Sequence, residues 1–425
     1  MKMNNSPARG TRDLLPDAVA NRDRVLGLIQ DVYRRFGYQR IETPALERIE
    51  RLTAGQGGDN EKLSFRILRR GLDEQLPAGT PVSDLVDMGL RYDLTVPLTR
   101  FYAQHRAELL APFRSFQFGP VWRAERPQKD RYRQFYQCDI DLVGEPSVLA
   151  EAELIEATTA ALAAVGLTGS TVRLSDRRFL AALATCAGVP AEAQPGFFVT
   201  VDKLDKIGWD GVIAELVGDR GLPADVASAA RDKIDSLTGL PADKVADVLT
   251  EAVPGLQDQV ADDLATIAAC LAALDGVSWA FDPRLVRGMG YYTGQIFEIT
   301  HPAAAGSIAG GGRYDELIGR SLGQQVPACG FSIGFERIVD LIEQQPEAAK
   351  VAVLYEADVP VADALAVARR LRDEQGVVVS SLRRSGKFSA QLTRLETAGF
   401  TGFLPLVPGQ DISELPVPRP LGRQV

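Results

Sequence analysis

The stretch Gly119–Gly144, GPVWRAERPQKDRYRQFYQCDIDLVG, reads as two strands joined by a basic loop. The first arm ends in Trp122, Arg123, Ala124 and Glu125, and the loop carries Arg126, Gln128, Lys129, Asp130 and Arg131. On the return arm a period of two puts Phe135, Gln137, Asp139 and Asp141 on one side and Tyr136, Cys138 and Ile140 on the other. Such an arrangement can hold a polyanion over the loop while Gln137 and Asp141 grip a small polar ligand. The same residues also suit an ordinary charged hairpin on a protein surface.

Outward from the hairpin, 425 residues exceed one hydrophobic core, so two or three domains are expected. Hydrophobic residues at 45% and charged residues at 24% fit a soluble globular protein. No run approaches about 18 consecutive apolar residues, and the start, MKMNNSPARGTRDLLP, lacks a signal-peptide core, so no membrane association is expected. Cys138, Cys186, Cys270 and Cys329 are far apart and form no C-x-x-C pair. Neither a zinc site nor a disulfide framework follows, and a reducing cytosol is the simplest setting. The histidines, His105 and His301, flank no nucleophile motif, which argues against histidine acid–base chemistry. A net charge of −9 argues against promiscuous nucleic-acid binding but leaves room for a basic surface shaped to one RNA.

Val25, Ile29, Val32, Tyr33 and Phe36 predict a helix over Asp17–Phe36 that Gly37 can end. An extended segment, Tyr38–Glu42, follows up to Pro44, and a helix is expected over Ser147–Val165. Residues 196–255 read as an inserted helical module without a compact site, between a first part at 1–195 and a second part at 256–340. From 341 to 425 the chain restarts as an α/β unit with a parallel sheet. Its expected strands are Val351–Tyr355, Val377–Leu382 and Phe403–Val407, and its helices Val361–Gln375 and Lys387–Thr397.

Four more clusters can carry chemistry. LRYDLTVPLTR at Leu90–Arg100 is expected to place Asp93 and Thr95 on one side of a strand, suited to an ammonium group or simply solvated. LVRGMGYYTGQIFE at Leu285–Glu298 sets Arg287 beside two glycines and before Tyr291 and Tyr292; it reads either as a ligand loop or as a turn with core aromatics. AGGGRYD at Ala309–Asp315 reads as a glycine-rich turn, and it matches neither a P-loop nor G-x-G-x-x-G. GFSIGFERIV at Gly330–Val339 puts Arg337 one turn into a helix, to stack on a base, pair with a phosphate or hold a structural salt bridge.

In this order, the segments resemble histidyl-tRNA synthetases, a family of class II aminoacyl-tRNA synthetases, over nearly the whole length. Asp17–Pro44, Phe116–Asp141 and Gly330–Arg337 look like the three class motifs, and RGMGYYTG and AGGGRYD like the family's signature peptides. The wording LRYDLTVPL, FYQCDID and VDKLDKIGW is closest to the eukaryal-type branch. The resemblance implies an α+β fold: an antiparallel catalytic sheet flanked by helices, a helical insertion and a small C-terminal α/β domain like an anticodon-binding domain. It implies a cytoplasmic homodimer that condenses L-histidine with ATP, with Mg²⁺, and passes the histidyl group to tRNA(His).

Carried over residue by residue, Arg123 and Arg287 would be catalytic, flanking the α-phosphate, with Arg123 also at the histidine carboxylate. Glu125 would face the adenine and Arg337 would stack on it or hold the γ-phosphate side. Asp93, Thr95 and Gln137 would hold the α-amino group, with Leu94 contributing backbone. Asp141 and Tyr292 would read the imidazole, and Tyr291 would line the pocket. Gln128 and Lys129 would touch the tRNA acceptor end, and Arg383, Arg384 and Lys387 would form a basic patch on the C-terminal unit or a solvated charged face. The metal ligands are left unassigned.

Met289 and Gly290 replace the usual Leu-Asp of the signature, Asp130 stands where many members have glycine, and little room follows Phe403–Val407 for a last strand and helix. These departures keep two relatives in view: a histidine-binding regulatory subunit of ATP phosphoribosyltransferase, and an adenylate-forming enzyme with a non-tRNA acceptor. Retention of Arg123, Glu125, Arg287 and Arg337 favours the synthetase.

Overall fold

The computed structural model describes residues 4–53, 64–72, 77, 79–127, 131–240, 244–286, 291–343, 349–414 and 417–422. It divides into two compact units, Met1–Ile342 and Glu343–Val425.

The larger unit is built on an eight-stranded, mostly antiparallel sheet. In chain order its strands are β1 (Gln39–Arg40), β5 (Phe113–Trp122), β6 (Gln134–Val143), β7 (Thr171–Asp176), β8 (Ser278–Phe281), β9 (Gln295–Thr300), β10 (Ser307–Arg313) and β11 (Ala328–Ile333). Across the sheet they run β1-β5-β6-β11-β10-β9-β7-β8, and the end pairs β1–β5 and β7–β8 are parallel. A separate small sheet joins β2 (Leu46–Arg48), β4 (Val86–Leu90) and β3 (Arg66–Leu68).

Helix α1 (Pro16–Arg35) buries Val25, Ile29, Val32 and Tyr33, the stripe its 3.6-residue period predicts. Gly37, at φ 84°, then turns the chain into β1. Cys138, Ile140 and Leu142, on one face of β6, belong to the same core as that stripe. Helix α2 (Thr95–His105) starts at Thr95, so LRYDLTVPL is not one strand: β4 stops at Leu90. The Asp93 carboxylate accepts from the Val96 N–H at 3.0 Å, and Pro97 sits in the first turn, where no N–H is needed.

Helix α3 (Leu149–Ala164) is tied to the end of β10 by a buried ion pair: Glu151 accepts from Arg313 at 2.6 and 2.7 Å. Arg313 also donates to the Ser147 carbonyl at 2.9 Å, so its fork is well satisfied despite burial. The helical insertion is wider than 196–255. Helices from Arg177–Cys186 through Asp258–Ala272 all lie between β7 and β8. Because β7 and β8 pair in parallel, the whole run is their crossover connection, and that pairing sets its limits. AGGG is likewise no turn: Gly310, Gly311 and Gly312 lie inside β10. A methyl at Gly311 would come 2.0 Å from the Gly330 carbonyl oxygen, so the glycine serves close strand approach. Just after β11, the short helix α4 (Phe335–Val339) begins.

The smaller unit has β12 (Lys350–Tyr355) between β13 (Val378–Arg383) and β14 (Gly402–Leu406), all parallel. Helices α5 (Val361–Gln375) and α6 (Phe388–Thr397) provide the crossovers. Room for a last strand does exist, since β15 (Arg419–Pro420) pairs antiparallel with β14 at the edge.

Candidate active site

A cleft of about 360 Å³ opens over β6, β10 and β11 in the larger unit. Phe135, Gln137, Asp139 and Asp141 line it from alternate positions of β6, as period two requires. Thr95, Arg123, Glu125, Tyr291, Tyr292 and Arg337 also line it. Asp93 lies just behind this wall, 1% exposed. Arg287, Gln128 and Lys129 lie outside the described residues, as do Met289, Gly290 and Asp130.

Arg123 follows the end of β5, where its Nε donates to the Tyr92 carbonyl at 3.1 Å. Its guanidinium carbon sits 5.1 Å from the centre of the Phe135 ring. One carbonyl bond and one aromatic face thus fix a permanent cation in the cleft. Further along, Glu125 is ion-paired with Arg131, and the Arg133 Nε donates to the Glu125 carbonyl at 2.9 Å. Arg337 reaches from the first turn of α4 to the Ser307 carbonyl.

Three buried carboxylates, Asp93, Asp139 and Asp141, stand on or beside this cleft. Burial pushes Asp93 up to about 6, against the Val96 N–H and Arg123, which pull it down. Burial also carries Asp141 up to about 7; the hydrogen bond from Tyr314 lowers it and the charge of Asp93 raises it. Asp139 stands well above the usual carboxylate range, again through burial first and then the charge of Asp141. Among the described residues, Asp93 Oδ2, Gln137 Oε1, Asp139 Oδ1 and Asp141 Oδ2 are buried without a hydrogen-bond partner. All four are acceptors, so the wall calls for a ligand rich in N–H donors.

Leu94 sits between Asp93 and Thr95, just before α2. It is buried, and its carbonyl already accepts from Gln117 Nε2 at 3.1 Å. Tyr291 and Tyr292 pack against each other with ring centres 4.9 Å apart, and Tyr291 also meets Tyr314 at 5.9 Å.

Four residues act here that sequence patterns do not single out. Tyr314 donates to Asp141 Oδ1 at 2.6 Å, although the glycines of AGGGRYD are that segment's conspicuous feature. Asp139 is on the cleft face by alternation, yet no motif gives it a role. Glu336, also on the cleft wall, accepts from Arg22 at 2.7 and 2.9 Å and from the Tyr136 N–H at 3.1 Å. Burial opposes its ionisation, yet the Arg22 hydrogen bonds hold its carboxyl below the usual range. Gln117 braces the turn before α2. Only the alternation of β5 and β6 offers a signal for any of these.

In the smaller unit, Arg384 is committed to Glu356 at 2.7 Å and lies 4.7 Å from the Phe388 ring centre. It is therefore less available to a ligand than Arg383 or Lys387 on charge grounds alone.

Residues 10–338 match the family model described as histidyl-tRNA synthetase. The chain is 50% identical over 411 residues to a histidine–tRNA ligase of Leifsonia xyli, covering 94% of each. It is 42% identical over 413 residues to a probable histidine–tRNA ligase of Tropheryma whipplei, covering 95% of this chain and 96% of the relative. Both relatives are bacterial, despite the eukaryal-type wording of the motifs. Among solved structures, histidyl-tRNA synthetase from Nostoc sp. PCC 7120 superposes with a TM-score of 0.76 at 28% identity, over 96% of this chain and 92% of that one.

Proposed function

The chain belongs to the histidyl-tRNA synthetase family, and from that premise we propose that it acts as a histidine–tRNA ligase through the cleft over β6. One observation carries the reading: a fixed arginine, Arg123, faces a wall of buried acceptors without donors of their own. An amino acid with an ammonium group, a carboxylate and a ring N–H complements that wall.

Histidine enters with its ammonium toward Asp93, Thr95 and Gln137, and its imidazole toward Asp141 and Tyr292, with Tyr291 lining the pocket. A carboxylate and a phenol can satisfy the donor and the acceptor of a neutral imidazole. A ring lacking those groups would leave Asp141 Oδ2 buried without a donor, which is the basis of specificity. ATP lies toward Glu125 and Arg337, where Glu125 must exchange Arg131 for the adenine amine.

The chemistry then needs no protein nucleophile. A histidine carboxylate oxygen bonds to the α-phosphorus, the bond to the β-phosphate oxygen breaks, and pyrophosphate leaves. Arg123 neutralises charge on the α-phosphate and holds the attacking carboxylate, so the protein contributes position and electrostatics. Arg287 takes the opposite side of that phosphate in this proposal. Among the described residues no group of three or more histidine, cysteine or acidic side chains is placed to hold a metal ion. In this reading Mg²⁺ comes with the triphosphate, as part of the substrate.

The histidyl group then passes to a terminal ribose hydroxyl of tRNA(His), the acyl–phosphate bond breaking and AMP leaving, with Gln128 and Lys129 at the acceptor end and the C-terminal unit at the anticodon. The working form in this proposal is a cytoplasmic homodimer; no helix among the described residues is long and apolar enough to cross a membrane.

Histidine-dependent ATP–pyrophosphate exchange, followed by charging of tRNA(His) in the same reaction, tests the proposal. Exchange with charging is expected, and Arg287→Ala should abolish exchange while sparing histidine binding. Exchange without charging would replace tRNA by another acceptor, and histidine binding without exchange would overturn the ligase reading.

A further inference from the structure

The cleft face of β6 carries one carboxylate more than those contacts use. Asp139 stands two residues from both Gln137 and Asp141, so all three point the same way. It lines the cleft at only 4% exposure. Its Oδ2 accepts from Gln137 Nε2 at 3.2 Å, and the Ser332 hydroxyl is near enough to favour its charged form, while its Oδ1 makes no hydrogen bond of good geometry among the described residues.

That bond determines which way the Gln137 amide faces. Here the Asp139 oxygen accepts, so the amide turns its NH₂ toward Asp139. Ser332 Oγ, 3.5 Å from the same nitrogen, is compatible with this orientation. The amide oxygen is then left as a buried acceptor without a donor. A buried carboxylate oxygen and a buried amide oxygen, each without a donor, are unfavourable unless a ligand brings donors. An ammonium group carries three donors and no acceptor.

Resting on the histidine reading of the cleft, we propose that Asp139 is a further determinant of α-ammonium recognition. Its Oδ1 takes one ammonium N–H, and its Oδ2 orients Gln137 so that the amide oxygen takes another. Asp93 Oδ2, buried just behind that wall, supplies a third acceptor. The pocket thereby selects amino acids over otherwise similar imidazole acids.

The test compares wild type with Asp139→Asn, full length, using histidine, histidinol, imidazolepropionate and ATP. Histidinol keeps the amine and lacks the carboxylate; imidazolepropionate keeps the carboxylate and lacks the amine. Binding is read by calorimetry, or as inhibition of ATP–pyrophosphate exchange for weak ligands. Asp139→Asn should bind histidine and histidinol about 10- to 100-fold more weakly, the usual effect of losing a hydrogen bond to a charged group. ATP and imidazolepropionate should bind as they do to wild type. A residue that merely supports the strand would weaken all four ligands together, and that result would overturn the proposal. So would undiminished histidine binding. Asp139→Ser, smaller and uncharged, serves the same comparison if the asparagine variant does not fold. If wild type itself fails to bind histidine, the reading of the cleft falls instead, independently of Asp139.

Discussion

Tyr314 donates its phenolic hydrogen to Oδ1 of Asp141 across 2.6 Å, linking the residue after β10 to the second carboxylate of β6. The strand between them, β11, makes room for this bond. Gly330 is paired directly with Asp141, and a methyl on it would lie 2.2 Å from that same Oδ1.

Tyr314→Phe removes the donor and leaves a buried carboxylate with one polar contact fewer. The KM for histidine should rise about 10-fold or more, by the usual strength of a hydrogen bond to a charged group. The KM for ATP should stay unchanged, because Glu125 and Arg337 are untouched. Steady-state exchange at varied histidine and ATP separates the two effects.

Gly330→Ala should damage the same contact by bulk. The added methyl must displace the Asp141 carboxylate, since the tyrosine ring is only 3.1 Å away on the other side. A stability loss of about 1–3 kcal/mol is expected, the usual cost of overpacking, together with weakened histidine binding. Urea unfolding and calorimetric titration of this variant measure both.

Stability of the ligand-free protein should depend on pH through the cleft carboxylates. Asp93 and Asp141 titrate at about 6 and about 7 folded, against an ordinary value of 3.8. Groups raised in this way bind protons more tightly in the folded state. Their contribution is fully present below the unfolded value and is lost as pH rises through about 6 to 7. Asp141→Asn cannot ionise, so from about pH 5 to about pH 8 it should gain on the order of 3 kcal/mol relative to wild type. A pH series of denaturation midpoints for the two proteins checks this, and parallel curves would contradict it.

Arg22→Ala should be strongly destabilising for a different reason. It strands Glu336, whose carboxylate joins α1 to the backbone of Tyr136, with Arg12 alone left to pair it. Removing one partner of a largely buried ion pair costs about 3–5 kcal/mol, and the remaining bond to Arg12 should place the loss near the lower end. Glu336→Gln in the Arg22→Ala background should cost less than the sum of the single changes, the signature of direct coupling.

Much of the architecture is legible in the chain because its signals are local. The stripe Val25, Ile29, Val32 and Tyr33 follows from the helical period, and Gly37 ends that helix at positive φ. Strand alternation alone puts Gln137, Asp139 and Asp141 on one face, and the cleft lies on that face. The five core elements of the C-terminal unit follow from apolar runs and the breaks between them. The segment LRYDLTVPL misleads, since its alternation imitates a strand while Asp93 and Pro97 actually start a helix. There the Asp93 bond to the Val96 N–H outweighs β-propensity, a local competition that periodicity cannot settle.

Asp139, Tyr314, Glu336 and Gln117 gain their roles only through partners distant in the chain or through the cleft itself. Tyr314 lies 173 residues from Asp141, and Glu336 lies 314 from Arg22. The sequence by itself determined the buried stripe of α1 and the cleft face of β6, because backbone geometry repeats every 3.6 or two residues. Tertiary structure alone decided which buried acceptors meet a donor and which stay open for a ligand. Hydrogen bonds and burial depend on what the fold brings within about 3 Å, and chain separation carries no record of that.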